Sequence, residues 1–202
     1  MSPIKLYGAG SSRWVRPYWT LQELGVPFEA VRLNLRGGEN RSPEFLALNP
    51  FGAVPALVDG DLVLSQSSAI CTYLADKYPE KGLAPPAGTA DRGRYDQWVA
   101  FAISDLEQPL WRIARHTFRY PEEKRSPAEK ALAADDFRNL ARTLEPLLGE
   151  YAVCGRFTVA DIMLAYTLRW SERLNLLDDF PRLQEYAARH IARPAFPAHL
   201  FA

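Results

Sequence analysis

Asn49-Pro50-Phe51-Gly52-Ala53-Val54-Pro55-Ala56-Leu57 is the stretch that decides the fold. Pro50 and Gly52 turn the chain abruptly, and Val54-Pro55 then carries a β-branched residue and a proline into the start of a strand. Nine residues after Leu57, Gln66-Ser67-Ser68-Ala69-Ile70 opens a helix with polar side chains. The unpaired N–H groups at such a helix start can hold a small anion. A strand edge beside a helix start describes a pocket that grips a short peptide by its backbone and its terminal carboxylate.

Upstream of that stretch, strand and helix signals alternate. Ile4-Lys5-Leu6-Tyr7 is a short strand broken by Gly8-Ala9-Gly10. Trp14, Tyr18, Leu21 and Leu24 recur at helical spacing and stop at Gly25, so a helix begins just after the Ser11-Ser12 turn with Pro17 in its first turn. Phe28 to Leu33 reads as a strand and Pro43 to Leu48 as a short helix. Downstream, Ala56-Leu57-Val58 and Leu62-Val63-Leu64 form a hairpin through Asp59-Gly60-Asp61, and Ser67 to Tyr78 is an amphipathic helix. The order β-α-β-α-β-β-α implies a mixed sheet, because the last two strands must run antiparallel.

Residues 79–88 are dense in proline and glycine and read as a linker between a first domain, 1–78, and a second, 89–202. Beyond the linker only helical periodicity remains. Tyr95, Trp98, Val99, Ala102, Ile103, Leu106 and Leu110 line one long helix, and Phe137 through Leu147, Leu148 and Tyr151 line a second. A third runs from Phe157 to Trp170 and a fourth from about Pro181 to Ile191. The fold class expected is α/β followed by all-α.

Composition narrows the function. The chain is 48% hydrophobic and 12% aromatic, enough for a packed core. Its 24 basic and 24 acidic residues cancel, which argues against a nucleic-acid or anionic-membrane partner. No apolar run approaches the ~18 residues of a membrane span, and Met1-Ser2-Pro3 leads straight into a strand without a signal-like segment, so a cytoplasmic protein is expected. Cys71 and Cys154 match no metal spacing and read as small buried side chains. His116, His190 and His199 show neither metal spacing nor a serine partner, so no metal is expected.

In this order and spacing the residues resemble the cytosolic glutathione S-transferase family over essentially the whole chain. The likeness is carried by Leu6-Tyr7 with Ser11-Ser12-Arg13-Trp14-Val15-Arg16, by the 49–57 and 64–70 segments, and by Gly155-Arg156-Phe157-Thr158-Val159-Ala160-Asp161. It implies a thioredoxin-like first domain followed by a helical bundle, with glutathione as co-substrate and no metal. It also implies a homodimer in which the first domain packs on the partner's helical domain. A small hydrophobic electrophile would be the second reactant.

On that resemblance, Val54 offers its backbone to glutathione's cysteinyl unit, and a cis bond before Pro55 turns those polar groups into the pocket. Gln66 and Ser67 receive the γ-glutamyl end, although Ser67 could also be an ordinary helix cap. Many relatives carry an acidic residue where Gln66 stands, and lysine or glutamine where Ala53 stands, so Ala53 removes one side-chain contact from the glutathione site. Arg36 and Asn40 could supply it at the glycyl carboxylate, or simply belong to a solvated loop. The thiol must be ionised to react, and a hydroxyl donor in the Ser11-Ser12 turn would favour the thiolate. Spacing from Arg16 in serine-type relatives such as the theta group points to Ser12, while the zeta group leaves Ser11 open. Tyr7 is a weaker candidate, and the turn holds no cysteine, against the omega and beta types.

Trp111, Arg115 and Phe118 on the long helix are the candidates for the electrophile, with core packing of Trp111 the competing reading. In the homodimer that the resemblance implies, Asp105 on the long helix could approach the partner subunit's glutathione. Thr158-Val159-Ala160-Asp161 is a capping box and structural. The leading reading is a transferase that conjugates glutathione to a hydrophobic electrophile in detoxification. The alternatives are a glutathione-dependent isomerase or disulfide reductase, and a binding module that kept the fold without the reaction.

Overall fold

The computed structural model describes residues 3–201. Met1 and Ser2, from which the first strand was expected to emerge, lie outside the described residues, as does Ala202. The chain divides into two units, one comprising everything up to Ala84 together with the segment from Pro194 onward, the other Pro85–Arg193.

The first unit is built on a four-stranded sheet in the order β2-β1-β3-β4. Its elements are β1 (Ile4–Gly8), α1 (Val15–Leu24), β2 (Phe28–Arg32), α2 (Pro43–Leu48), β3 (Ala56–Asp59), β4 (Leu62–Ser65) and α3 (Ser67–Lys77). β1 pairs parallel to β2 and antiparallel to β3, and β3 pairs antiparallel to β4. The sheet is therefore mixed, as the hairpin requires. Ile4, Leu6 and Leu57 on the sheet, Trp14, Leu21 and Leu24 at α1, and Ile70 and Leu74 of α3 are buried together. Each such side chain contributes about 1.5–3 kcal/mol by leaving water. α1 and α3 pack on each other.

The returning C-terminal segment also belongs to this unit, whereas the sequence reading assigned it to the helical region. The Phe196 ring meets Trp19 edge-on at 5.0 Å, and the His199 ring lies 5.5 Å from Tyr18. Pro197 and a short 3-10 turn over Ala198–Phe201 carry no helical periodicity of the length needed to reveal such docking in the sequence.

The second unit is helical. α4 (Ala90–Phe101) is capped by Thr89, whose hydroxyl accepts from the Arg92 N–H at 3.2 Å. The chain passes through a π turn (Ala102–Leu106) into α5 (Glu107–Ala114), then through a second π turn (Arg115–Arg119). The long helix expected from periodicity is thus interrupted twice, because an inserted residue widens one turn without changing the apolar stripe much. α6 (Pro127–Leu144) starts at the Ser126 cap, and α7 (Val159–Glu172) and α8 (Pro181–Ile191) follow. α6 ends before Leu147, which is 63% exposed and not on the buried face expected for it. α7 is buried on all sides and packs against α8, α4 and α5, the position a helix apolar all round must take.

Candidate functional site

Strand register brings the sequence motifs of the first unit to one edge of its sheet. Tyr7 lies opposite Ala56, Ala56 opposite Ser65, and Gly8 beside Arg32. One step beyond that row come the serine turn after β1, Pro55 before β3 and Gln66 after β4. Adjacent strands lie about 4.8 Å apart, so segments remote in sequence become neighbours there.

The loop before β3 is held from inside. Asn49, almost wholly buried, donates from Nδ2 to the Ala53 carbonyl at 2.7 Å and accepts the Phe51 N–H at Oδ1, 3.3 Å. Asn40 donates to the Gly52 carbonyl at 2.7 Å, and Arg41 to the Phe51 carbonyl at 3.3 Å. Gly52 has φ +61°, and a Cβ there would stand 2.9 Å from the Asn40 carbonyl oxygen, so only glycine fits. The loop ends in a cis Val54–Pro55 bond. Ala53 is exposed and presents a methyl group where a polar side chain would reach a ligand.

At the start of α3, Gln66 has φ 72° and ψ 116° and its side chain makes no capping bond. A non-glycine residue at positive φ is strained and persists where its surroundings or function require it. Ser67 follows, 5% exposed, and its hydroxyl accepts from Arg16 Nη1 at 3.4 Å. Arg16 is completely buried on α1. Thr20, one turn further along α1, donates its hydroxyl to the Arg16 carbonyl at 2.9 Å. Beneath them the buried Cys71 thiol is pushed up to about 12 by burial, against the pull of Thr20 and Arg16, which makes it an inert thiol.

In the serine turn, the Ser12 N–H donates to the Ala9 carbonyl at 3.2 Å and the Ser12 carbonyl accepts from Val15 at 3.0 Å. The Ser12 hydroxyl is buried and has no hydrogen-bond partner among the described residues. It does not cap α1, whose start carries no side-chain cap. Ser11, by contrast, is engaged within the protein. Tyr7 turns its ring toward Phe45 at 6.0 Å, a packing role.

In the helical unit, the second π turn gathers Arg115, Phe118 and Arg119. Arg115 donates to the Tyr120 hydroxyl at 3.4 Å, while its Nε is buried without a partner among the described residues. Phe118 is 62% exposed, and Arg119 lies 5.4 Å from the Trp111 ring centroid. Asp105, in the first π turn, is exposed and accepts from Ser104. No group of histidine, cysteine, aspartate or glutamate among the described residues could hold a metal ion. No helix among them is long and apolar enough to cross a membrane.

Sequence reasoning passed over Arg16 and Asn49. Arg16 lies four residues from Thr20 in a stretch where Val15, Pro17, Trp19 and Leu21 are all buried, and a charge inside such a run is the available signal.

Comparison with known proteins places these observations in context. The profile for the glutathione S-transferase N-terminal domain matches residues 2–76, and that for the C-terminal domain matches residues 122–189. The chain is 46% identical to glutathione S-transferase 3 of Zea mays, over 97% of this chain and 92% of the maize protein. It is 32% identical to a probable maleylacetoacetate isomerase of Vibrio cholerae, over 97% and 94% of the two. A sphingomonad glutathione S-transferase solved in complex with glutathione superposes with a TM-score of 0.85 at 33% identity, covering 97% of this chain and 96% of that one.

Proposed function

The chain belongs to the glutathione S-transferase family, and from that footing we propose that it binds glutathione along the sheet edge just described and activates its thiol through Ser12. The orphaned Ser12 hydroxyl carries this reading. A buried donor left unpaired costs roughly 1–3 kcal/mol, a cost recovered when a thiolate arrives to accept from it. Each pKa unit by which the thiol falls below its ordinary ~8.5 represents about 1.4 kcal/mol. Val54 pairs with the cysteinyl backbone before Pro55. Gln66, Ser67 and the start of α3 receive the γ-glutamyl end, Arg16 fixing the Ser67 hydroxyl from behind. Asn40 serves the loop through Gly52, and Ala53 adds no polar contact.

In the reaction the thiol proton passes to solvent, the sulfur forms a bond to the electrophilic carbon, and the leaving group departs with its electron pair. Trp111, Arg115 and Phe118 are the residues we assign to the electrophile: an exposed ring, a cation–aromatic stack and a guanidinium nitrogen without a partner. Rate comes from thiol activation and from holding the reactants together. A cytoplasmic, detoxifying homodimer completes the reading. The likeness to the Vibrio cholerae protein favours a second one, a cis–trans isomerase in which glutathione adds to an activated alkene and is then released.

The test is ionisation of bound glutathione, followed by thiolate absorbance against pH. In Ser12→Ala the apparent pKa should rise by one unit or more toward the free value of about 8.5, while Ser11→Ala leaves it in place. A shift only in Ser11→Ala transfers the role to Ser11. Calorimetry that finds no glutathione uptake at millimolar concentration defeats the whole proposal. Uptake without turnover of a standard electrophile or a maleyl compound would make the protein a binding module.

A further inference from the structure

Building on that reading, we infer that a second reactant bearing a carboxylate is received through that group by Arg32 and Arg36, in a cavity of the first unit on the β2 side of the serine turn, whereas a neutral electrophile relies on Trp111, Arg115 and Phe118 alone. The cavity is an open one of about 860 Å³, and Arg32, Asn34, Arg36 and Glu39 on its wall are exposed. Ala9 and Gly10, from the turn that carries Ser12, form one wall. Arg32 at the end of β2, with Asn34, Arg36 and Glu39 from the loop after it, forms the other.

Three observations support this. The first is position. The sheet order β2-β1-β3-β4 puts Pro55 and Gln66 on one side of β1 and this cavity on the other. The groups that grip glutathione therefore leave the β2 flank of the serine turn open. Gly10, at φ +46°, has nothing within 4 Å of where a Cβ would stand, so the turn leaves room above it. Ligands of α/β sheets settle in such crevices beyond the strands' carboxyl ends.

The second is charge. Neither Arg32 nor Arg36 has a hydrogen-bond or ion-pair partner among the described residues. Arginine forks match a carboxylate with two parallel bonds. The one acidic residue at the cavity, Glu39, is already engaged, accepting the Asn34 N–H at 2.7 Å.

The third is that the wall is built. Asn34 Oδ1 accepts the Gly37 N–H at 2.9 Å, and a Cβ at Gly37 would stand 2.6 Å from Asn34 Nδ2. The backbone of the loop that bears Arg36 is thus folded on itself.

The test compares two chloronitroarenes of one shape, 1-chloro-2,4-dinitrobenzene and 4-chloro-3-nitrobenzoate, the second bearing the carboxylate. In each, the glutathione sulfur bonds to the ring carbon bearing chlorine, chloride leaves, and the thiol proton goes to solvent. The readout is the ratio of kcat/KM for the benzoate to that for the neutral arene. Arg32→Gln with Arg36→Gln should lower the ratio about tenfold through KM for the benzoate, and Arg32→Lys with Arg36→Lys, which keeps the charge without the fork, should restore only part of it. An unchanged ratio overturns the inference. A rise in glutathione Kd by calorimetry with the ratio unchanged also overturns it, assigning the arginines to glutathione's glycyl carboxylate. If the unaltered protein takes up no glutathione, the reading beneath fails as well, which separates the two failures.

Discussion

Gln66 holds a backbone conformation, φ 72° and ψ 116°, that an L-residue adopts only under constraint. Glycine adopts it freely, at the cost of more entropy in the unfolded chain. Gln66→Gly should leave stability unchanged or raise it by up to ~1 kcal/mol while weakening glutathione binding. Urea unfolding and calorimetry read the two effects, and a clear loss of stability would mark Gln66 as a structural residue. At this scale what the sequence made legible is placement: Ser12, Gln66 and Ser67 stand at element boundaries, where their polarity put them. Arg16 was not legible, because its role depends on Ser67, 51 residues away. The Asn40 amide likewise turned inward to Gly52, a choice set by loop closure that composition does not encode.

Among elements, α7 is the one on which the helical unit depends. In its capping box the Thr158 side chain faces the Asp161 N–H, and the Asp161 carboxylate reaches back to accept from the Thr158 N–H at 2.8 Å and from the Thr158 hydroxyl at 3.0 Å. The same carboxylate accepts from the Ala152 N–H at 2.8 Å and the Tyr186 hydroxyl at 2.6 Å, tying α7 to α8. His190 of α8 closes the cluster, with Nε2 3.1 Å from the Glu150 carbonyl. Burial pushes the His190 imidazole below its ordinary value near 6.5, although Asp161 and the Glu150 carbonyl pull it upward. Above that ordinary value the ring is neutral whether the chain is folded or not, so stability is fully present. Below it the unfolded chain takes a proton that the folded one resists, and stability falls until the folded ring also titrates. The melting temperature should therefore drop between about pH 7 and pH 5 more steeply in the unaltered protein than in His190→Gln. Parallel slopes would remove His190 from the account. The capping box was readable as Thr158-Val159-Ala160-Asp161, whereas the two π turns were not, since apolar spacing survives a widened turn.

For the molecule as a whole, Phe51 is the outlying feature: it is 76% exposed at the tip of a loop pinned by Asn49, Asn40 and Arg41. A loop so pinned offers its apolar ring at little further entropy cost to a subunit contact. In the homodimer proposed above, Phe51→Ser should raise the dissociation constant about tenfold or more, measured by sedimentation. A sedimentation profile identical to that of the unaltered protein would take Phe51 out of the contact. The change of period after residue 88 was enough to foresee a helical unit after a sheet, because helices and hairpins are written in short-range pattern. The return of the C-terminal segment was not foreseeable, because docking is a long-range event. That return has a practical bearing. A gene truncated after Ala84 to express the sheet unit alone would leave the Trp19 indole without its Phe196 cover. A version of that unit that keeps this contact is a two-piece polypeptide, or a permuted one with its final residues spliced ahead of its first.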